Sequence, residues 1–202
     1  MTPVTTALIA ANVAMFLLQD FAPDLIDMFA LWPPGAEQAG GASFAPWQLV
    51  TYAFLHAGIW HIAFNMFALY MFGGPIERVL GTRRYLTYYF VCVVSAALTQ
   101  LAFAAVTGGF NPSIGASGGV FGLLLAYGIC FPNNRVMLIF PPIPMPARIF
   151  VLVYAALELF LGVTGTQEGV AHFAHLGGMI GGIALLTFWR RGGGRRRPFD
   201  PR

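Results

Sequence analysis

The sequence predicts an all-α membrane protein built as a bundle of six transmembrane helices. Three observations predict it. The 202 residues are 57% hydrophobic and only 9% charged, with a mean hydropathy of +0.70. A soluble domain carries about a quarter charged residues, so this chain cannot cover a water-facing surface. Apolar runs recur along the chain, separated by Pro/Gly-rich or charged breaks. Finally, all 11 basic residues are arginines, and they fall only after the even-numbered runs.

The first run, 4–18, has no basic residue before it; the first arginine is Arg78. It therefore reads as a retained transmembrane helix and not as a signal peptide, which needs a basic n-region. Residues 21–57 form an outer loop. Pro33, Pro34 and Pro46 interrupt it too often for a span, and Trp32, Phe44 and Trp47 suit the headgroup zone. The second helix is expected at 58–72, broken or bent by Gly73-Gly74-Pro75, with a short charged turn from Glu77 to Arg84. The third, 85–106, is the longest clean span. After a Gly/Asn/Pro loop the fourth runs over 117–131 and stops at Pro132. Residues 132–148, with Pro141, Pro142, Pro144 and Pro146, read as an irregular connection. The fifth helix is predicted over 149–162, a loop over 163–168, and the sixth over 169–189. Residues 1–189 thus form one transmembrane domain, and 190–202 a basic tail expected to be disordered.

Six spans put all 11 arginines on one side and Asp20, Asp24, Asp27, Glu37 and Glu168 on the other. That segregation is the positive-inside pattern, with both termini cytoplasmic. The net charge of +3 gives no reason to infer nucleic acid. Cys92 and Cys130 lie within apolar runs and read as buried thiols, and no cysteine spacing suggests a metal.

With this topology, every even-numbered helix begins on the outer side. His61 and Asn65 stand near the start of the second, Ser117 at the start of the fourth, and His172 and His175 in the first turns of the sixth. Ser117 to Phe131 covers roughly 22 Å at about 1.5 Å per residue. Against a hydrocarbon core of about 30 Å, Ser117 lies on the order of 8 to 10 Å below the outer surface. Gly118 and Gly122, and Gly177 with Gly181 and Gly178 with Gly182, are spaced one turn apart, which lets membrane helices approach backbone to backbone. Such an approach brings Ser117 toward His175. A serine hydroxyl becomes nucleophilic when a positioned base takes its proton, and histidine has the suitable pKa. His61 and Asn65, at i and i+4, share a helix face and can offer donors to an oxyanion together with the Ser117 amide. Taken alone, that pair reads more readily as an interhelical hydrogen-bond device; together with Ser117 and His175 at the same level it reads as part of the site. No acidic third member is legible, so the pattern predicts a Ser–His dyad. Glu158 lies in the fifth span without a motif, where a carboxyl faces a cavity, is hydrogen-bonded or is protonated. His56 reads as an organiser of the outer loop, and His172 as a solvated or loop-bonded neighbour.

His56, His61-x-x-x-Asn65, Gly73-Gly74, Glu77, Gly81, the Gly-Ala-Ser-Gly stretch at 115–118, and Ala174-His175-Leu176-Gly177-Gly178 with Gly181-Gly182 together resemble the rhomboid intramembrane serine proteases. The resemblance covers roughly residues 44–189, and the six-helix plan matches the basic bacterial form. It implies Ser117 as nucleophile, His175 as general base, and His61 and Asn65 as oxyanion donors. His56, Glu77, Gly115, Gly118, Phe121, Gly177 and Gly181 would support them, with Glu77 tying the second helix to its neighbours. The resemblance further implies transmembrane protein substrates that enter past the fifth helix and the 163–168 loop. It implies no cofactor, no metal and no nucleic acid, in a multi-pass protein of the bacterial plasma membrane whose site opens outward. Gln48 follows Trp47 where Arg is frequent, and Phe121 stands where some members have Tyr. Two other classes compete. A non-catalytic relative that binds membrane helices should lack Ser or His at these positions. A small transporter or channel should carry paired charges or broken helices at mid-membrane.

Overall fold

The computed structural model describes residues 2–137, 142–164 and 171–192. Helix α1 spans Pro3–Phe21 and α2 spans Asp24–Phe29. Within the outer segment α3 is the short Gln48–Thr51. Then come α4, Ile59–Ala68, and α5, Gly74–Leu80, joined by a π-helical turn, Leu69–Gly73. Helix α6 spans Thr82–Thr107, α7 Ser117–Cys130, α8 Ala147–Thr164 and α9 His172–Gly192. Among the described residues, five helices are long and apolar enough to cross a membrane: α1, the continuous Ile59–Leu80 helix, α6, α8 and α9; α7 is a shorter apolar helix. Together they make the all-α membrane bundle that the apolar runs predict.

Two connections differ from expectation. Gly73-Gly74-Pro75 does not end the second helix. The π-turn absorbs the register change, and Pro75 enters at the first turn of α5, where its missing N–H costs least. Glu77 and Arg78 are therefore helical, and the real turn is Gly81, whose φ of +72° suits glycine. Residues 132–148 also contain a small hairpin. Strand β1, Arg135–Met137, pairs antiparallel with β2, Pro144–Pro146, with Val136 opposite Met145. The sixth helix begins its described course at His172; expectations for 163–168 and for the tail fall mostly outside the described residues.

Helix α7 lies at the centre. Nine of its 14 residues are buried, and four of those are glycines, so neighbours approach its backbone closely. At about 21 Å it is too short to cross a core of about 30 Å by itself. Surrounding helices and loops cover its ends, which is the setting in which a short helix and irregular backbone are tolerated at membrane depth. The loop before it is pinned to the outer segment. Leu31 and Ser113 exchange both backbone hydrogen bonds at 3.0 Å, and the Gly115 N–H donates to Tyr52 O at 2.9 Å. Gln48 holds that segment from inside: its side-chain oxygen accepts from Trp32 N, and its amide donates to Ser43 O and Met28 O. The Glu77 carboxylate accepts from Val4 N, Thr5 N and Thr5 Oγ1 at 3.0, 2.8 and 2.8 Å. It thereby caps the otherwise unpaired start of α1, and joins it to α5.

Candidate active site

The glycines on α9 face two different neighbours: Gly177, Gly181 and Gly182 face α6, and Gly178 faces α7. A Cβ at Gly177 or Gly181 would run into Thr99 and Ser95 of α6, and Ser95 Oγ donates to Gly177 O at 2.8 Å. Gly178 instead meets the carbonyl of Gly118 on α7, while Gly122 packs on Cys92 and near Gly178 O. The sequence reading treats these glycines as one face; the fold splits them between α6 and α7. The α7–α9 contact lies one residue beyond Ser117 and three beyond His175.

At that level His175 Nε2 is 2.8 Å from Ser117 Oγ. The Phe121 ring, one turn after the serine, stacks on the imidazole with centroids 4.3 Å apart and planes 7° from parallel. This fixes the ring plane from one side without needing a hydroxyl. His61 comes from α4. The Ala57 N–H donates to its Nδ1 at 3.3 Å, so the neutral ring carries its proton on Nε2. A Cβ at Gly115 would lie 2.7 Å from that Nε2 and 3.8 Å from Ser117 Oγ, so glycine keeps the gap between them open; its φ of +125° also favours glycine. Asn65 is buried one turn deeper, and its Nδ2 donates to His61 O at 2.9 Å, leaving one amide hydrogen available. The first-turn amides of α7, Ser117 included, have no intrahelical partner. A serine, a base and several donors therefore converge on one spot.

The acidic group that was not legible is present. Glu158 of α8 places Oε2 2.9 Å from His175 Nδ1 and 2.6 Å from His172 Nδ1. His172 is buried and bonded to this carboxylate, not solvated as expected. A signal did exist. A lone acid in an apolar span needs a partner, and α9 supplies two histidines three residues apart. The three side chains offer metal-ligating atoms within 4.8 Å of one another. Their direct N···O contacts are hydrogen-bond lengths, however, with the carboxylate oxygen occupying the place between the rings.

His56, fully buried beside His61 with ring centroids 4.9 Å apart, is clamped through its backbone by Gln19 of α1. Burial, and secondarily the His61 charge, lower its pKa from 6.5 to about 4. The unfolded chain binds this proton below about 6.5, whereas the folded one does not until about 4. Its contribution to stability is complete above 6.5 and is lost as pH falls toward 4. Denaturation in detergent should show wild type losing about 3 kcal/mol more than His56→Gln over that window. Equal losses in both proteins would refute this.

A rhomboid-domain family model matches residues 43–192. The chain is 31% identical over 180 residues to the "Rhomboid protease GluP" of Bacillus subtilis, covering 89% of this chain and 33% of that protein. It is also 31% identical over 141 residues to "Rhomboid protein 1, mitochondrial" of Saccharomyces cerevisiae, covering 67% of this chain and 40% of that protein. Against the "Rhomboid protease GlpG" of Serratia proteamaculans it is 28% identical over 196 residues, covering 93% and 62%. The chain thus spans between a third and two thirds of the length of these relatives.

Proposed function

The chain belongs to the rhomboid family, and from that premise we propose that it is an intramembrane serine endopeptidase that cuts transmembrane segments of other membrane proteins. The 2.8 Å contact between Ser117 Oγ and His175 Nε2, inside a bundle of apolar helices, carries this reading. In it, His175 takes the Ser117 proton as the oxygen attacks a peptide carbonyl. The developing oxyanion is met by His61 Nε2–H, Asn65 Nδ2–H and the Ser117 amide. His175 then gives its proton to the leaving amine, an acyl-enzyme remains on Ser117, and water hydrolyses it. A regular substrate helix hides its carbonyl carbons, so the substrate must unwind locally, which favours segments with small or helix-breaking residues.

In this proposal residues 1–189 are the catalytic domain, lipid surrounds it, and both termini face the cytoplasm of a bacterium with the site opening outward. The arginine distribution supports that orientation: Arg78, Arg83, Arg84, Arg135, Arg148, Arg190 and Arg191 all lie at one set of helix ends. The test is cleavage of a model single-pass substrate by the purified protein in liposomes, with products sized by mass spectrometry. A cut within or beside the transmembrane segment is expected, and should move or vanish when the segment is rewritten as polyleucine. A substrate that stays bound but intact would favour a helix-binding, non-cleaving relative.

A further inference from the structure

Resting on the Ser117–His175 reading, we propose that Glu158 is a positioning residue. Its carboxylate, steadied by His172, holds His175 with the proton on Nδ1 and stabilises the imidazolium formed during attack. The geometry has three parts. Oε2 accepts from both histidines, at 2.9 Å and 2.6 Å. An ionised carboxylate only accepts, so each Nδ1 must donate. A neutral His175 then presents a bare Nε2 lone pair to Ser117 Oγ, 2.8 Å away. With the proton on Nε2 instead, the ring could not take the serine proton.

Burial makes the arrangement consequential. Glu158, His172 and His175 are 7, 5 and 8% exposed, so the carboxylate has little water to share its charge with. Two N–H donors satisfy it, and low local polarity strengthens its field at His175. Among the described residues, His172 Nε2 has no hydrogen-bond partner. That suits a neutral ring whose Nε2 is an acceptor better than a charged ring with a buried, unmet N–H. His172 therefore donates to Glu158 and stays neutral, while His175 cycles between neutral and charged. Other titratable groups face this set from elsewhere. Tyr154 lies one turn earlier on α8, and His61 of α4 comes up beside Gly115, next to Ser117. Neither adds a negative charge, so among the described residues Glu158 is the anion at His175.

The proton balance is simple. The Ser117 O–H bond breaks as the oxygen bonds to the carbonyl carbon, and the proton moves to His175 Nε2. It leaves later on the amine nitrogen. The Nδ1 proton stays on the imidazole, and Glu158 remains a carboxylate throughout.

Two measurements test this. First, the rate of Ser117 modification by a fluorophosphonate is followed against pH in wild type, Glu158→Gln and His172→Ala. Gln keeps the shape and one acceptor but removes the charge. Glu158→Gln should lower the rate about 10²- to 10⁴-fold and move the acidic limb to lower pH, because the imidazolium has lost its anion. His172→Ala should cost less. A Glu158→Gln profile with wild-type rate and unmoved limb overturns the proposal. So does His172→Ala abolishing modification while His175→Ala does not. Second, nitrogen NMR of the wild-type histidines reads the tautomer directly, whatever the variants do to folding. The proposal requires neutral His175 to carry its proton on Nδ1, and an Nε2–H ring overturns it. The NMR result stands even if no substrate is cut, so failure of the protease reading is distinguishable from failure of the Glu158 assignment.

Discussion

Replacing Ser117 by Ala is expected to abolish fluorophosphonate labelling and to reduce cleavage of a single-pass substrate about 10⁶-fold. In the proposed mechanism the hydroxyl forms the acyl bond, and none of its described neighbours can replace it. Gly115, Ala116 and Gly118 carry no nucleophile, and the other polar side chains at this level are donors or bases. The fold should hardly respond. Among the described residues the hydroxyl's hydrogen bond is to His175, so its loss costs on the order of 1 kcal/mol. His175→Ala should lower labelling to a similar degree, since serine and base act as a unit. Labelling that persists in Ser117→Ala would remove the serine from the mechanism, and an unfolded Ser117→Ala protein would contradict the stability estimate.

Gly178→Ala should damage the protein from a distance. The added methyl would fall on the Gly118 carbonyl, and the three nearest atoms all belong to the α7 backbone. Backbone cannot rotate away as a side chain can, so the two helices must separate. Overpacking of a tight interior costs about 1–3 kcal/mol, and with no side chain to yield, this site should lie at the upper end or beyond. Spreading α7 from α9 also pulls Ser117 from His175, so labelling should fall together with the thermal midpoint. Gly58→Ala is the control. Its φ of 172° suits any residue, and nothing lies within 4 Å of the added carbon, so it should change stability by less than about 0.5 kcal/mol. If Gly178→Ala matched Gly58→Ala, the backbone contact would not be what sets the distance between serine and base.

Parts of this site are legible in one dimension because they obey local rules. Ser117 stands at a helix start among small residues. His61 and Asn65 share a face by spacing. His175 precedes a glycine stripe. The arginine breaks align these starts at one membrane level. Other features depend on how a helix is rotated or how its backbone continues. Gly73-Gly74-Pro75 reads as a break or bend at the end of the second helix, but a π-turn carries the helix through to Leu80. Glu158 has no motif around it, and only the rotation of α8 against α9 decides whether it meets lipid or the histidines.

The sequence by itself determined the class of the molecule, its apolar spans and the residue types that meet near one surface. These follow from partition between water and lipid, which acts on each segment separately. Tertiary structure alone decided the partners. Glycines on α9 had to be divided between α6 and α7 before Ser117 could reach His175, and α8 had to dock before His175 gained a carboxylate. Hydrogen bonds of 2.6 to 2.9 Å tolerate errors of only a few tenths of an ångström. Hydropathy sets helix position far more coarsely than that, and backbone-to-backbone packing supplies the remaining precision.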